Sequence, residues 1–142
     1  MTYATTTFGP VLWHTGHLLA ANFSDNTESD KRTQYLAFFE SFGYLLPCSW
    51  CRFYYQSICE LMPLSSYINK SDGVSRWFYL VHDLVNKKNQ FRERLCLEKC
   101  MCSAPQCTLT HRTTVSSPPY VEVRAMYDDA KMTKPIKTNT RR

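Results

Sequence analysis

Two cysteines three residues apart, Cys48 and Cys51 in Leu46-Pro47-Cys48-Ser49-Trp50-Cys51-Arg52, are the residues best spaced for chemistry. Pro47 permits a helix to begin at the pair. At a helix start the unpaired N–H groups and the macrodipole favour a thiolate, and Arg52 adds positive charge nearby. Such a dithiol can close a small ring, reopen it and pass two electrons to a neighbour. A static bridge there would close so short a loop that little chain entropy is removed. A zinc half-site is the stronger competitor, with Cys100-Met101-Cys102 or Cys107 as a second pair. Spacing alone leaves redox chemistry and zinc level. A thioredoxin-like site is not expected, because no βαβ pattern surrounds the pair.

Trp13 and His17 stand one helical turn apart, and His82 and Asn86 repeat that geometry later in the chain. Each pair shares one side of its helix. Two such helices facing each other could hold a ring system by stacking and edge hydrogen bonds. Taken singly, a histidine is more often an ordinary core or surface residue, and His14 and His111 are read that way. Cys59 is expected to be a buried free thiol.

These residues need helices to position them, and the apolar periodicity supplies them. Leu12, Trp13, Gly16, Leu19, Ala20 and Phe23 mark a first helix opening at Gly9-Pro10. Tyr35, Phe38, Phe39, Phe42 and Leu46 mark a second, closed by Pro47. The third carries the cysteine pair and stops before Pro63. The fourth follows Ser71-Asp72 with Val74, Trp77, Phe78, Val81, Leu84 and Val85 as a wide apolar stripe. A short fifth is expected from Phe91 to Lys99. The class is therefore all-α, with almost no strand-like alternation before residue 113.

The 142 residues fit one domain, and 9 Tyr, 8 Phe and 3 Trp imply a core or pocket of flat rings. Seven cysteines leave at least one thiol outside any intramolecular bridge. Met1 to Thr7 has neither a basic start nor an apolar core, so no signal peptide is expected, and no apolar run approaches a membrane span. The chain thus reads as intracellular, where cysteine-rich proteins bind metal or do redox chemistry. The net charge of +5 sits mostly beyond residue 111, where 7 Lys/Arg face 3 Asp/Glu. With Pro105, Pro118, Pro119 and Pro135, that end reads as mostly disordered, and Val121-Glu122-Val123 is a faint strand signal at best. The plainer reading of its basic residues is a solvated tail, without a nucleic-acid partner.

In order along the chain, Gly9-Pro10-x-x-Trp13-x-x-x-His17, Pro47-Cys48-x-x-Cys51 and Trp77-x-x-x-x-His82-x-x-Val85-Asn86 resemble the Erv/ALR family of FAD-linked sulfhydryl oxidases. The style is closest to that of large DNA viruses. The resemblance implies a four-helix bundle plus a short fifth helix, with residues 1–7 a flexible N-terminus, 8–102 the FAD-binding oxidase domain and 103–142 a mostly disordered tail. It implies a thiol oxidase that forms disulfides in protein substrates, or in a thioredoxin-like carrier. Electrons would pass from the Cys pair to FAD and then to molecular oxygen, giving hydrogen peroxide. Cys51 would lie against the flavin and Cys48 would exchange with incoming thiols. Gly9, Trp13, His17, His82, Val85 and Asn86 would contact the cofactor, with Trp77 packing nearby. No metal is implied, and a homodimer through the first helices is. For a viral protein the place of action would be the cytoplasm of an infected cell, or the virion.

The chain departs from the family pattern at Asp83, where Asn is usual, and at Leu46, where an aromatic is usual. Lys87 or Lys88 would replace the family's phosphate-binding lysine. Cys100 and Cys102 read either as a shuttle that relays electrons to the Cys48–Cys51 pair or as part of a bridge to Cys96 or Cys107. The alternative to an oxidase is a zinc-binding interaction module with a nucleic-acid-contacting tail.

Overall fold

A computed structural model describes residues 5–99 and 118–129. Among these residues five α-helices follow one another: α1 (Thr5–Asn22), α2 (Ser29–Phe42), α3 (Ser49–Leu61), α4 (Gly73–Lys99) and α5 (Tyr120–Asp129). Short 3-10 turns at Gly43–Leu45 and Leu64–Ser66 flank α3. No strand occurs among the described residues, as the all-α expectation requires.

The core forms where the apolar stripes of α1, α2, α3 and α4 meet. Phe39, Val74, Trp77, Phe78 and Val81 are all but inaccessible to solvent. Phe39 lies edge-on to Trp77 at 5.6 Å and tilted to Phe78 at 5.1 Å, the offset arrangements that ring quadrupoles favour. The buried polar atoms of these rings are matched. Tyr55 donates its hydroxyl to the Phe39 carbonyl at 2.8 Å, and the Trp77 indole donates to the Met62 carbonyl at 2.7 Å. The second bond ties the end of α3 to α4. Met62 precedes Pro63 and has left the helical region (φ −134°, ψ 72°), which stops α3 as the sequence suggests.

α1 and α4 form the main helix pair. A Cβ built on Gly16 would overlap the Phe78 ring, so glycine here lets the two backbones approach. Phe78 is fully buried and has nowhere to move. Gly16→Val is therefore expected to destabilise the fold by about 1–3 kcal/mol, the range for overpacking a core. A lowered urea midpoint with an unchanged slope would show it; an unshifted midpoint would mean the helix pair adapts freely.

Arg32 on α2 fastens the two loops at the far end of the bundle. Its guanidinium donates to the carbonyls of Thr27 at 2.9 Å, Asp25 at 2.5 Å and Ile68 at 3.0 Å, and lies over the Phe23 ring. At the entry to α4, Asp72 takes the left-handed conformation (φ 54°), which its short polar side chain tolerates better than most.

Four helix boundaries differ from the sequence reading. α2 ends at Phe42, and a 3-10 turn at Gly43–Leu45 followed by an extended Leu46 replaces the expected run to Pro47. α1 begins at Thr5, a turn before Gly9-Pro10, with Pro10 inside it at the cost of one backbone bond. The expected fifth helix at Phe91–Lys99 is the continuous end of α4, since nothing in Asn86 to Phe91 breaks a helix. Tyr120–Asp129 is a helix inside the stretch read as mostly disordered, and it includes the faint strand signal. Pro119 accepts from the N–H groups of Glu122 and Val123, starting the first turn. Tertiary contacts then decide the conformation: Tyr120 packs on Tyr79 at 5.5 Å beneath Arg76, and the Tyr79 hydroxyl donates to the Pro118 carbonyl at 2.9 Å. The rest of the expected tail lies outside the described residues.

Candidate active site

Cys48 is the N-cap of α3, in extended conformation, and its sulfur accepts the N–H of Cys51 at 3.2 Å. A thiolate on Cys48 would thus meet a backbone donor at a positive helix end. Cys48 and Cys51 are joined as a disulfide with a Cα separation of 5.1 Å. Arg52 holds the approach to this turn by donating to the Leu46 carbonyl at 2.7 Å, so its cation is committed to the backbone. Cys51 packs against the hydrophobic core.

The pair forms part of the wall of a cavity of about 570 Å³, a size suited to a large organic ligand. Gly9, Trp13, His17, His82, Val85, Asn86 and Lys88 line the same cavity. Residues from the start of α1, the start of α3 and the middle of α4 are thereby brought to one place. Trp13 stacks on His82 with centroids 4.0 Å apart and planes 7° from parallel. His17 Nε2 and His82 Nδ1 are 3.0 Å apart, so one ring donates and the other accepts. His17 also meets Phe78 edge-on at 5.0 Å. Burial lowers the pKa of His17 to about 4, with His82 and His14 pushing the same way. Burial likewise lowers His82 to about 4, against the pull of Asp83. Two neutral imidazoles at neutral pH form a polar, uncharged wall. A Cβ added to Gly9 would meet no protein atom within 4 Å.

Lys88 brings positive charge to this wall, its ammonium 4.2 Å above the Tyr54 ring. Lys87 points elsewhere and pairs with Asp83 at 2.7 Å. Of the two lysines proposed for a phosphate, the structure therefore brings Lys88 to the cavity.

Trp77 stands apart from the other expected site residues. It is buried in the core and does not line the cavity. His14, read as an ordinary histidine, does line it, as do Tyr54 and Trp50. Tyr54 was legible as a site residue in principle, since it sits three residues after Cys51 on the same helix face. Cys59 is a free thiol, half-buried, and burial pushes its pKa up to about 11. The side chain of Cys96, and Cys100, Cys102, Cys107 and His111, lie outside the described residues. Among the described residues no three His, Cys, Asp or Glu side chains converge to hold a metal ion; the second pair of the zinc alternative, Cys100 and Cys102 or Cys107, lies outside them. No described helix is long and apolar enough to cross a membrane.

Residues 10–103 match the model of the Erv1/Alr family. A probable FAD-linked sulfhydryl oxidase of Acanthamoeba polyphaga mimivirus is 29% identical over 75 residues, 52% of this chain and 52% of that protein. A FAD-linked sulfhydryl oxidase of African swine fever virus is 32% identical over 81 residues, 57% of this chain and 66% of that protein. The chain thus spans between about half and about two thirds of the curated relatives it matches.

Proposed function

The chain belongs to the Erv1/Alr family, and from that premise we propose that it is a FAD-linked thiol oxidase that makes disulfides in protein substrates. The observation that carries this reading is the placement of the Cys48–Cys51 disulfide in the wall of a cavity flanked by flat rings and one lysine. The donor set fits FAD. Trp13 and the two neutral imidazoles offer flat faces and edge hydrogen bonds, Asn86 offers an amide, and Lys88 offers a charge for phosphate. Gly9, Val85 and Tyr54 complete the apolar and aromatic lining.

The chain's own residues perform the thiol chemistry. A substrate thiolate attacks the Cys48 sulfur, forming a mixed disulfide and breaking the Cys48–Cys51 bond, whose electron pair leaves on Cys51. A second substrate thiolate attacks the mixed disulfide and releases Cys48 as a thiolate. The Cys51 N–H stabilises that leaving thiolate. Two substrate thiols have then lost two protons and two electrons, and the Cys pair holds the electrons. Cys51, packed inward against the core, is assigned to the flavin side and Cys48 to the substrate side. Bound FAD supplies the two-electron acceptor that restores the disulfide, with dioxygen as final oxidant and hydrogen peroxide as product.

An absorbance spectrum and an oxygen electrode test the reading together. The purified chain should be yellow and should consume oxygen when given a reduced dithiol, releasing hydrogen peroxide. A chain that neither carries nor takes up flavin would overturn it. Lys88→Ala should weaken flavin retention about tenfold, one lost charge–phosphate contact, while Lys87→Ala should leave it unchanged. Equal effects of the two would reject the assignment of Lys88.

A homodimer through α1 belongs to the same proposal, supported by Val11 and Leu18, exposed two turns apart on that helix. Sedimentation of the purified chain reads it directly. So does a site of action in an infected cell or virion, supported by the viral origin of the matched relatives.

A further inference from the structure

Around the disulfide the surface is apolar where soluble proteins are usually polar. Leu45 is 81% exposed and Tyr44 68%, on the turn that leads into the pair. Trp50 is 73% and Phe53 63% exposed, on the first turns of the helix that carries it. Trp50 and Phe53 meet edge-on at 6.4 Å. The turn packs against α3, so both groups border the same short segment. Together they expose on the order of 500 Å² of apolar surface, as large as the biggest patches that monomers show. The stretch is also nearly free of charge. From Ser41 to Cys59 the only ionic side chain is Arg52, and its guanidinium is bound to the Leu46 carbonyl.

The reaction fixes where a substrate must lie. A mixed disulfide on Cys48 holds the two Cα atoms about 5.5–6 Å apart. A substrate backbone that close to Cys48 comes within side-chain reach of Leu45, three residues before it, and of Trp50, two residues after it and on the same cavity rim as Cys48. Four exposed apolar side chains then lose water only if the substrate covers them with apolar groups. A charged segment would be desolvated there against a stretch whose one ionic side chain, Arg52, is already bound to a carbonyl.

We propose that Tyr44, Leu45, Trp50 and Phe53 form a docking ledge that selects extended, uncharged, apolar segments of unfolded client protein around the reacting cysteine. The proposal rests on the thiol-oxidase reading and specifies its substrate class. The exchange is the one already written: the client thiolate bonds to Cys48, Cys51 leaves, and a second client thiolate completes the client disulfide. The ledge holds the first client segment in place while the second thiolate arrives.

The test compares three reductants by oxygen consumption: dithiothreitol, a dithiol peptide with Leu and Phe beside its cysteines, and one with Glu and Ser in those places. The full wild-type chain should oxidise the apolar peptide with a kcat/KM at least about tenfold above that of the acidic one. Leu45→Ser with Phe53→Ser, both outside the cavity lining, should abolish that preference while leaving dithiothreitol oxidation unchanged. Equal rates for the two peptides with the wild type, or a preference that survives in the double variant, would overturn the proposal. So would a double variant that changes the sedimentation coefficient without changing peptide preference, since the ledge would then be covered by a second copy of the chain. Failure of the wild type to oxidise dithiothreitol would reject the thiol-oxidase reading itself, and the ledge with it.

Discussion

Cys51→Ser is expected to abolish thiol-dependent oxygen consumption, a loss of at least about a thousandfold, as when a residue of a covalent relay is removed. The remaining Cys48 is then a lone thiol, and with no Cys48–Cys51 bond to attack, a substrate thiolate has no disulfide with which to exchange. Cys59 cannot stand in, because it is half-buried with its pKa pushed up to about 11, so little thiolate exists at neutral pH. The fold should survive the change. A bridge across three residues contributes about 2 kcal/mol or less by loop entropy, and the rest of the bundle is held by the Phe39, Trp77 and Phe78 core. Cys48→Ser gives the sharper comparison. Serine is among the best N-caps, so it should replace the sulfur as acceptor of the Cys51 N–H and keep α3 intact. Both variants should therefore remain yellow and folded while losing turnover. Retained oxygen consumption in Cys51→Ser would reject its assigned role.

The elements that position this chemistry were legible because they obey local rules. Pro47 and Pro63 bound α3, and the spacing of Trp13 with His17 and of His82 with Asn86 places each pair on one helix face. The sequence could not say that the two faces meet. That depends on Gly16 admitting the Phe78 ring, a contact between residues 62 positions apart. Trp77 shows the converse failure. Its place in the motif suggested the cofactor, yet the indole is turned into the core and bonded to Met62. Val121-Glu122-Val123, a faint strand signal in a stretch that reads as mostly disordered, is helical because of contacts the sequence does not show. Its helix is secured by Tyr79 and Arg76 of α4, more than forty residues earlier, and contacts at that distance override weak strand propensity. Lys87 and Lys88 were interchangeable in sequence. Asp83 separates them, by holding Lys87 on its own side of the helix.

Acid should unfold the protein through its histidine pair. An ordinary imidazole titrates near 6.5, whereas burial lowers His17 and His82 to about 4 in the folded chain. Between those values the unfolded chain binds more protons than the folded one, so stability rises with pH across this window. The contribution is fully present above about pH 6.5 and is lost as pH falls toward 4. For one imidazole the loss by pH 4.5 is about 2–3 kcal/mol. For the pair it exceeds that, because two protonated rings whose nitrogens lie 3.0 Å apart would face each other as cations with no acceptor between them. His14 adds to the repulsion on His17, and Asp83 offsets part of it on His82. Against a domain stability of about 5–15 kcal/mol this is a large fraction. Urea midpoints at pH 7 and pH 4.5, taken at one flavin concentration because bound ligand also stabilises, measure the loss. His17→Gln keeps a polar group in place but removes one titration and the facing charge, so its midpoint should fall by less than half as much. A wild-type midpoint that does not move across this window would mean that the folded rings take up protons as readily as the unfolded chain does. The cavity wall would then carry a cation beside Trp13.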